Sequence, residues 1–364
     1  MACKVTGVTR TRISVGGREA VLVELQTDAG IRGYGEAAVD GYPATMLGFL
    51  RDAESTLIGW DAFRVEQFSH RVLPLHVHTS APILRGMAAL ETALWDIKGR
   101  ALQSAVAQFF GGAVRDRIRV CVRDVPAGSP DEFARAAASL LAEGITALRW
   151  RPLLDRTSIL RRGYLEALLR QVERIRQAVG PEIDLVCDLA GVPSPAVARA
   201  IGRALEPLRP CLLADPCTPA DPQTLAKLTG DVRVPTCGGA GGRRPDQLPL
   251  LHARALSALC LDPAGCGGLS EARHIAAAAE SHYTPVIATY GGVWASPGPA
   301  WQLATVVPNL LFLEVPYSEI LWRTGLPHPL RIEEGYLNIP EAPGLGTDPD
   351  LAALQRAGGS VAVC

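Results

Sequence analysis

From Ile118 onward, short apolar runs alternate with helical stretches, the pattern of repeated βα units laid into a parallel sheet. Eight such runs occur: IRVCVRD (118–124), ALRWRP (147–152), DLVCDLA (184–190), CLLADP (211–216), VPTCGG (234–239), ALCLDP (258–263), PVIATY (285–290) and LLFLEVP (310–316). Eight strands close an α/β barrel, in which the strand interiors are packed core and the chemistry sits on the rim at the strands' C-terminal ends. Polar residues gather at those ends here. The intervening helices have recognisable starts at Ser129-Pro130-Asp131-Glu132 and Ser194-Pro195, where a hydroxyl can cap and proline takes the first helical position.

A barrel of this kind uses about 250 residues, so a chain of 364 has room for a smaller companion. Val21, Val23 and Leu25 alternate with Leu22, Glu24 and Gln26 before the turn residues Asp28-Ala29-Gly30 and a second short strand to Glu36, which reads as a hairpin. Residues 44–72 carry helical spacing, and Pro74, Pro82, His70, His76 and His78 mark a loop region. Further on, Met87, Leu90, Leu94, Ile97 and Ala101 form one stripe of a buried helix. The segment after that helix stops at Gly111-Gly112.

Apolar residues at 48% and charged residues at 20% allow a large core, and no run of ~18 apolar residues suggests a membrane span. The N-terminus MACKVTGVTRTR lacks the apolar stretch of a secretory signal, so a cytoplasmic location is expected. Lys+Arg (36) nearly balances Asp+Glu (37), and no basic cluster is interleaved with aromatics as a nucleic-acid surface needs. A small molecule is the expected partner. The nine cysteines include no CxxC pair, which supports neither a disulfide framework nor a zinc site. Strand alternation turns Cys187 outward from the barrel, whereas Cys237 falls in a glycine-rich run expected to be loose and accessible. His252, His274 and His282 fall on or after outer helices.

The segment AALETALWDIKGRALQSAVAQFFGG (88–112) resembles the cap-to-barrel connection of the mandelate racemase and muconate-lactonizing enzyme family of the enolase superfamily. GIRGYGEAA (30–38), DPAGCGGLSEARHIAAAAE (262–280) and EEGYLNIPEAPGLG (333–346) support the resemblance in order along the chain. It implies an α/β fold: a modified TIM barrel, (β/α)7β, over residues 116–325, covered by an α+β capping domain. That cap is built from residues 1–115 and completed by the C-terminal segment 326–364. It also implies a homo-oligomer, with substrate specificity set by cap loops around residues 14–20 and 40–58.

In this family a divalent metal, usually Mg²⁺, is held by acidic residues at the ends of the third, fourth and fifth barrel strands and stabilises an enolate. The third-strand aspartate persists as Asp188, with Ala190 where an asparagine is usual. The fourth-strand ligand position is Ala214, followed by Asp215 and Pro216, and the fifth-strand position is Ala240. With only Asp188 retained, the expectation is no metal and no other cofactor, since one carboxylate does not satisfy an octahedral Mg²⁺. Cys237 is a soft ligand and a poor partner for that ion.

The second strand normally offers two lysines; here they are Arg149 and Arg151, which suit holding an anion better than removing a proton. They are read either as a clamp for a substrate anion or as an internal ion pair with Asp188 or Asp215 replacing the lost metal charge. The family's seventh-strand histidine corresponds to Tyr290, its sixth-strand aspartate to Asp262, and its eighth-strand acid to Glu314. As a base, Tyr290 would need its pKa lowered by the arginines; otherwise it packs with its hydroxyl bonded to Asp262. The expected site is therefore catalytic Asp262, Tyr290 and Glu314 with Arg149, Arg151, Asp188 and Asp215 binding a small anionic metabolite. The expected function is a metal-independent isomerase or lyase. The alternatives are a noncatalytic protein binding an anion or a partner protein, or a Mg²⁺-dependent racemase or sugar-acid dehydratase with substituted ligands.

Overall fold

A computed structural model of the chain describes all residues except 1–2, 16–17, 40, 76–78, 127, 153–158, 193, 218–220, 293–296, 318–331 and 357. The cap begins with β1 (Val5–Val15), β2 (Arg18–Thr27) and β3 (Arg32–Ala38), an antiparallel sheet in which β2 and β3 form the expected hairpin. Strand β1 escapes a sequence reading because Thr and Arg interrupt its apolar positions.

Three helices follow: α1 (Pro43–Leu57), α2 (Val65–Val72) and α3 (Ala81–Ala101). The helical spacing read over 44–72 is realised in α1, where Met46, Leu50, Ala53 and Leu57 recur and are buried, so the cap loop expected around 40–58 is mostly helix. One further expectation is corrected. Pro82 opens α3 instead of marking a loop, since proline costs nothing in a first helical turn. His70 lies in α2, while His76 and His78 are outside the described residues.

Helix α3 is buried on nearly every side, so its apolar stripe understates its role. Strand β3 lies directly on it: a Cβ at Gly33 or Gly35 would collide with the carbonyl oxygens of Ala93 and Ala89. Its buried acids tie the two domains together. Glu91 accepts the backbone N–H groups of Leu269 and Ser270 at 2.9 and 3.0 Å, and Asp96 accepts those of Tyr34 and Leu345, both at 3.0 Å.

The barrel strands are β4 (Arg117–Arg123), β5 (Ala147–Trp150), β6 (Asp184–Asp188), β7 (Leu212–Ala214), β8 (Thr236–Gly238), β9 (Ala258–Leu261), β10 (Val286–Ala288) and β11 (Leu310–Pro316). Each coincides with one of the eight apolar runs. They are parallel throughout, and β11 closes on β4 with Glu314 opposite Cys121. The connecting helices are α4 (Pro130–Ala142), α5 (Arg162–Val179), α6 (Pro195–Leu205), α7 (Pro222–Asp231), α8 (Arg244–His252), α9 (Pro263–Cys266), α10 (Leu269–Ser281) and α11 (Pro297–Val306). Ser129 and Ser194 cap α4 and α6, accepting from Glu132 N at 3.1 Å and Val197 N at 3.5 Å. The architecture is a (β/α)7β barrel with a cap.

The C-terminal segment serves both parts. The hairpin β12 (Ile332–Glu333) and β13 (Tyr336–Asn338) extends the barrel sheet beside β4, and after α12 (Leu351–Arg356) the strand β14 (Ser360–Val363) joins the cap sheet beside β1. The expected boundary near 325 falls outside the described residues. No described helix is long and apolar enough to cross a membrane.

Candidate active site

Side chains on a strand alternate between faces, so the residues plugging the barrel lumen determine which residues stand above them. The plug includes Ala147, Val186, Cys260 and Phe312. Two positions further along each strand are Arg149, Asp188, Asp262 and Glu314, all brought to the floor of one cavity of about 600 Å³ at the barrel mouth. Asp215 follows the lumen residue Ala214 by one position and should face away, but its left-handed backbone (φ 43°) turns it back into the cavity. Asp124 (φ 58°) and Ala190 (φ 51°) carry the same conformation at the ends of β4 and β6. Such strain in non-glycine residues concentrates at functional sites.

Arg149 occupies the centre of the floor. Its Nε and Nη2 donate to Asp188 Oδ2 at 3.2 and 3.0 Å, and Nη2 also donates to Asp215 Oδ2 at 2.7 Å. Its Nη1 donates to both oxygens of Glu314, at 2.8 and 3.1 Å. Every nitrogen of the guanidinium is thus spent on the protein's own carboxylates. Burial opposes the charged form, yet the fields of Glu314, Asp188 and Asp215 outweigh it and hold the Arg149 pKa far above the ordinary range. Arg151, more exposed, donates through Nε and Nη2 to Asp188 Oδ2 at 3.1 and 2.8 Å.

The carboxylates respond differently. Burial pushes Asp188 up, but Arg149 and Arg151 together pull it below the ordinary range, helped by the Ala190 N–H that donates to Oδ1 at 2.7 Å. Asp215 is raised, because desolvation and the charges of Asp188 and Glu314 outweigh Arg149. Glu314 is 1% exposed and holds Arg149 with both oxygens. It thus stands in an ion-pair network with Arg149.

Asp262 stands apart from this cluster. It caps α9 by accepting from Ala264 N at 2.9 Å through Oδ1, while Oδ2 faces Gly291, where a Cβ would stand 3.6 Å away. Burial raises its pKa to about 6, against the lowering fields of Arg85 and Arg123. Among the described acids of the cavity it is the one bonded to no arginine.

Tyr290 differs from both readings of it. Its hydroxyl is buried with no hydrogen-bond partner among the described residues, so it does not bond Asp262. Burial raises its pKa, outweighing Arg123 and Arg18, which is opposite to the lowering a base would require. Tyr290 belongs with Ala288 and Leu313 to the apolar layer around the barrel. Cys237 is also corrected: it is fully buried in β8, in the lumen, and its hydrogen bond with Cys260 followed by burial raises its pKa well above the usual range. Cys187 packs in the outer layer. His252 ends α8 and meets the ring of His282 at 5.3 Å, and His274 lies in α10.

Among the cavity residues that were missed are two cations: Arg123, at the end of the first barrel strand, and Arg85, from the first turns of α3. Arg123 was within reach as the last basic residue of IRVCVRD. Arg85 had no signal, because only the packing of cap on barrel turns it toward the mouth.

The donor set does not fit the family's Mg²⁺. Ala214 and Ala240 offer no side-chain oxygen, both Asp188 oxygens are committed, and Arg149 puts a guanidinium among the remaining carboxylates. An octahedral ion needs oxygen ligands at about 2.1 Å. Among the described residues no group of three or more His, Cys, Asp or Glu could hold a metal ion.

The chain is similar to known proteins over nearly its full length. The D-galactonate dehydratase of Ralstonia pickettii (strain 12J) is 26% identical over 348 residues, covering 92% of this chain and 90% of that protein. A solved structure from Mesorhizobium loti shares 30% identity at a TM-score of 0.88, covering 99% of this chain and all (100%) of the other. A mandelate racemase/muconate lactonizing enzyme-like protein from Rubrobacter xylanophilus DSM 9941 shares 26% at a TM-score of 0.89, covering 98% of each chain. Residues 3–111 match the mandelate racemase/muconate lactonizing enzyme N-terminal domain, and residues 132–353 match the enolase C-terminal domain-like family. With both domains matched in order and the barrel and cap in place, the chain belongs to the mandelate racemase/muconate lactonizing enzyme family of the enolase superfamily.

Proposed function

We propose that this protein is a metal-independent isomerase or lyase acting on a small anionic metabolite at the barrel mouth, with Arg149 as a built-in cation where relatives hold their metal. The observation that carries this reading is the set of bonds from Arg149 to Asp188, Asp215 and Glu314. A fixed guanidinium supplies positive charge at the cavity floor without supplying an exchangeable coordination site. It spreads that charge over three carboxylates and so offsets less developing negative charge than a divalent ion, a difference of several kcal/mol. The favoured reactions are those with an easier proton, beside a ketone or thioester, or an elimination or cyclisation.

Asp262 is the proton carrier in this scheme. A carboxyl group with a pKa of about 6 exchanges its proton near neutrality, as general acid–base catalysis requires. The names of the D-galactonate dehydratase relatives support the lyase branch and make sugar acids the first substrates to assay. The test is turnover of a sugar-acid panel, beginning with D-galactonate, with excess EDTA and with added Mg²⁺. The expected result is the same rate in both; a rate that EDTA abolishes and Mg²⁺ restores contradicts it. A second reading, ligand binding without chemistry, is favoured by the commitment of Glu314, Asp188 and Asp215 to arginines, which leaves one carboxyl to serve as both acid and base. Binding without turnover of any panel member would select it.

A further inference from the structure

We propose that the outer edge of the Arg151 guanidinium is the anion grip of this cavity, and that the substrate is a monocarboxylate whose uncharged remainder reaches across the barrel mouth to Asp262. The inference rests on the small-anion reading above and adds which group holds the anion and how many anionic groups the cavity accepts.

The described cations lining the cavity are Arg85, Arg123, Arg149 and Arg151. Three of them are spent or shielded. Arg149 gives every nitrogen to Asp188, Asp215 and Glu314. Arg123 gives Nη1 to Asp124 and Nη2 to the Tyr290 carbonyl, and its Nε is buried. Arg85 reaches back to the Ala38 carbonyl in the cap, and its Nε is buried as well.

Arg151 differs on both counts. Its side chain is 61% exposed, and Nε and Nη2 both donate to a single oxygen, Asp188 Oδ2. A guanidinium carries five N–H donors in a fixed fork. Two are used on Asp188, which leaves both of Nη1 and one of Nη2, and Nη1 has no hydrogen-bond partner among the described residues. A carboxylate docks on such an edge through two parallel bonds. The fork is also held still: Asp188 is itself fixed by Arg149 Nη2 at 3.0 Å and by the Ala190 N–H at 2.7 Å. Preorganisation of this kind removes part of the ordering cost of binding.

The far wall sets the rest of the ligand. Arg151 follows the second barrel strand and Asp262 the sixth, so they stand on opposite sides of a closed ring of eight. A molecule held at Arg151 therefore extends toward Asp262, Thr289 and Gly291, which line the same cavity. No described cation on that side has an open, solvent-facing nitrogen, and Asp262 itself is a carboxyl group. A second carboxylate on the ligand would meet Asp262 without a partner, and like charges at close range repel. The class of ligand is therefore a small molecule with one terminal carboxylate and an uncharged, hydroxyl- or carbonyl-bearing chain.

The experiment is calorimetric titration of the full chain at pH 7.5, without added metal. The probes are the monocarboxylates D-galactonate, D-gluconate and mandelate, the dicarboxylate galactarate, and uncharged galactitol. Wild-type protein should bind at least one monocarboxylate, galactarate at least 10-fold more weakly, and galactitol not at all. Arg151→Met should weaken the monocarboxylate roughly 10- to 100-fold, and Arg151→Lys, which keeps the charge but loses the fork, should fall between. Asp188 keeps Arg149 and the Ala190 N–H in both variants, so a cooperative urea transition should show that the fold survives. Phenylglyoxal labelling mapped by mass spectrometry reads the contact itself: the bound monocarboxylate should shield Arg151 and leave Arg170, 66% exposed on α5, open to labelling. Unchanged affinity in Arg151→Met overturns the proposal, as does galactarate binding as tightly as the monocarboxylate, or a wild type that binds none of the acids. EDTA-sensitive turnover would end the metal-free reading yet leave these binding results standing, so the two failures are distinguishable.

Discussion

Arg149→Ala is expected to lower the free energy of unfolding by about 3–5 kcal/mol, the cost of removing one partner from a buried ion cluster. The substitution leaves Asp188, Asp215 and Glu314 converging on a space with no cation inside it. The fall of stability with rising pH, to which the raised Asp215, Asp262 and Asp96 already contribute in the wild type, should also steepen. In the wild type the folded-state pKa of Asp188 is depressed, so its contribution is present above the ordinary carboxylate pKa and is lost as the pH falls through the folded value. In the variant the crowded carboxylates bind protons more tightly folded than unfolded, so stability falls as the pH rises above about 4. Urea titrations of both proteins at pH 5 and pH 8 measure the loss and the steeper fall of the variant's stability with pH.

Asp262→Asn should reduce turnover by roughly 10²–10⁴-fold, the usual contribution of a positioned proton-transfer group, while making the protein more stable at pH 8. The folded-state pKa of Asp262 is about 6 against an ordinary 3.8. The native state therefore binds the proton more tightly, and its stability falls as the pH rises between those values and stays low above them. That difference of about two pKa units corresponds to roughly 3 kcal/mol. The asparagine keeps the Oδ1 acceptor for Ala264 N, so α9 stays capped. Asp96, also raised to about 6 by burial, contributes a fall in the same window, which the variant retains. Thermal unfolding from pH 4 to pH 8 with a parallel rate assay separates the effects: stabilisation above pH 6 with lost activity is expected, and full activity would remove Asp262 from the chemistry.

The barrel was legible because each strand is an apolar run bounded by polar residues, and the Ser-Pro pairs announced the helices between them. The missing ligands at Ala214 and Ala240 were equally plain, since they depend on residue identity at matched positions alone. What sequence could not give is convergence. Arg149 reads equally as an anion clamp or as an ion-pair partner of Asp188 or Asp215 until strands two, three, four and eight bring Asp188, Asp215 and Glu314 around it. Asp215 is one residue out of phase and reaches the cavity only through a left-handed backbone that its sequence does not announce. Cys237 looked available because glycines follow it, and Tyr290 because it stands where the family has a histidine, yet tertiary packing buried both. The start of α3 was blurred for a different reason, because Pro82 reads as a breaker unless the first turn is recognised.

The proposed replacement of the metal by Arg149 is tested most directly by titrating wild-type protein with Mn²⁺ and following the free ion by electron paramagnetic resonance. The expected result is the full hexaaqua spectrum up to millimolar protein and metal, with no bound fraction. Stoichiometric loss of the free signal, abolished by Asp188→Asn, would contradict it.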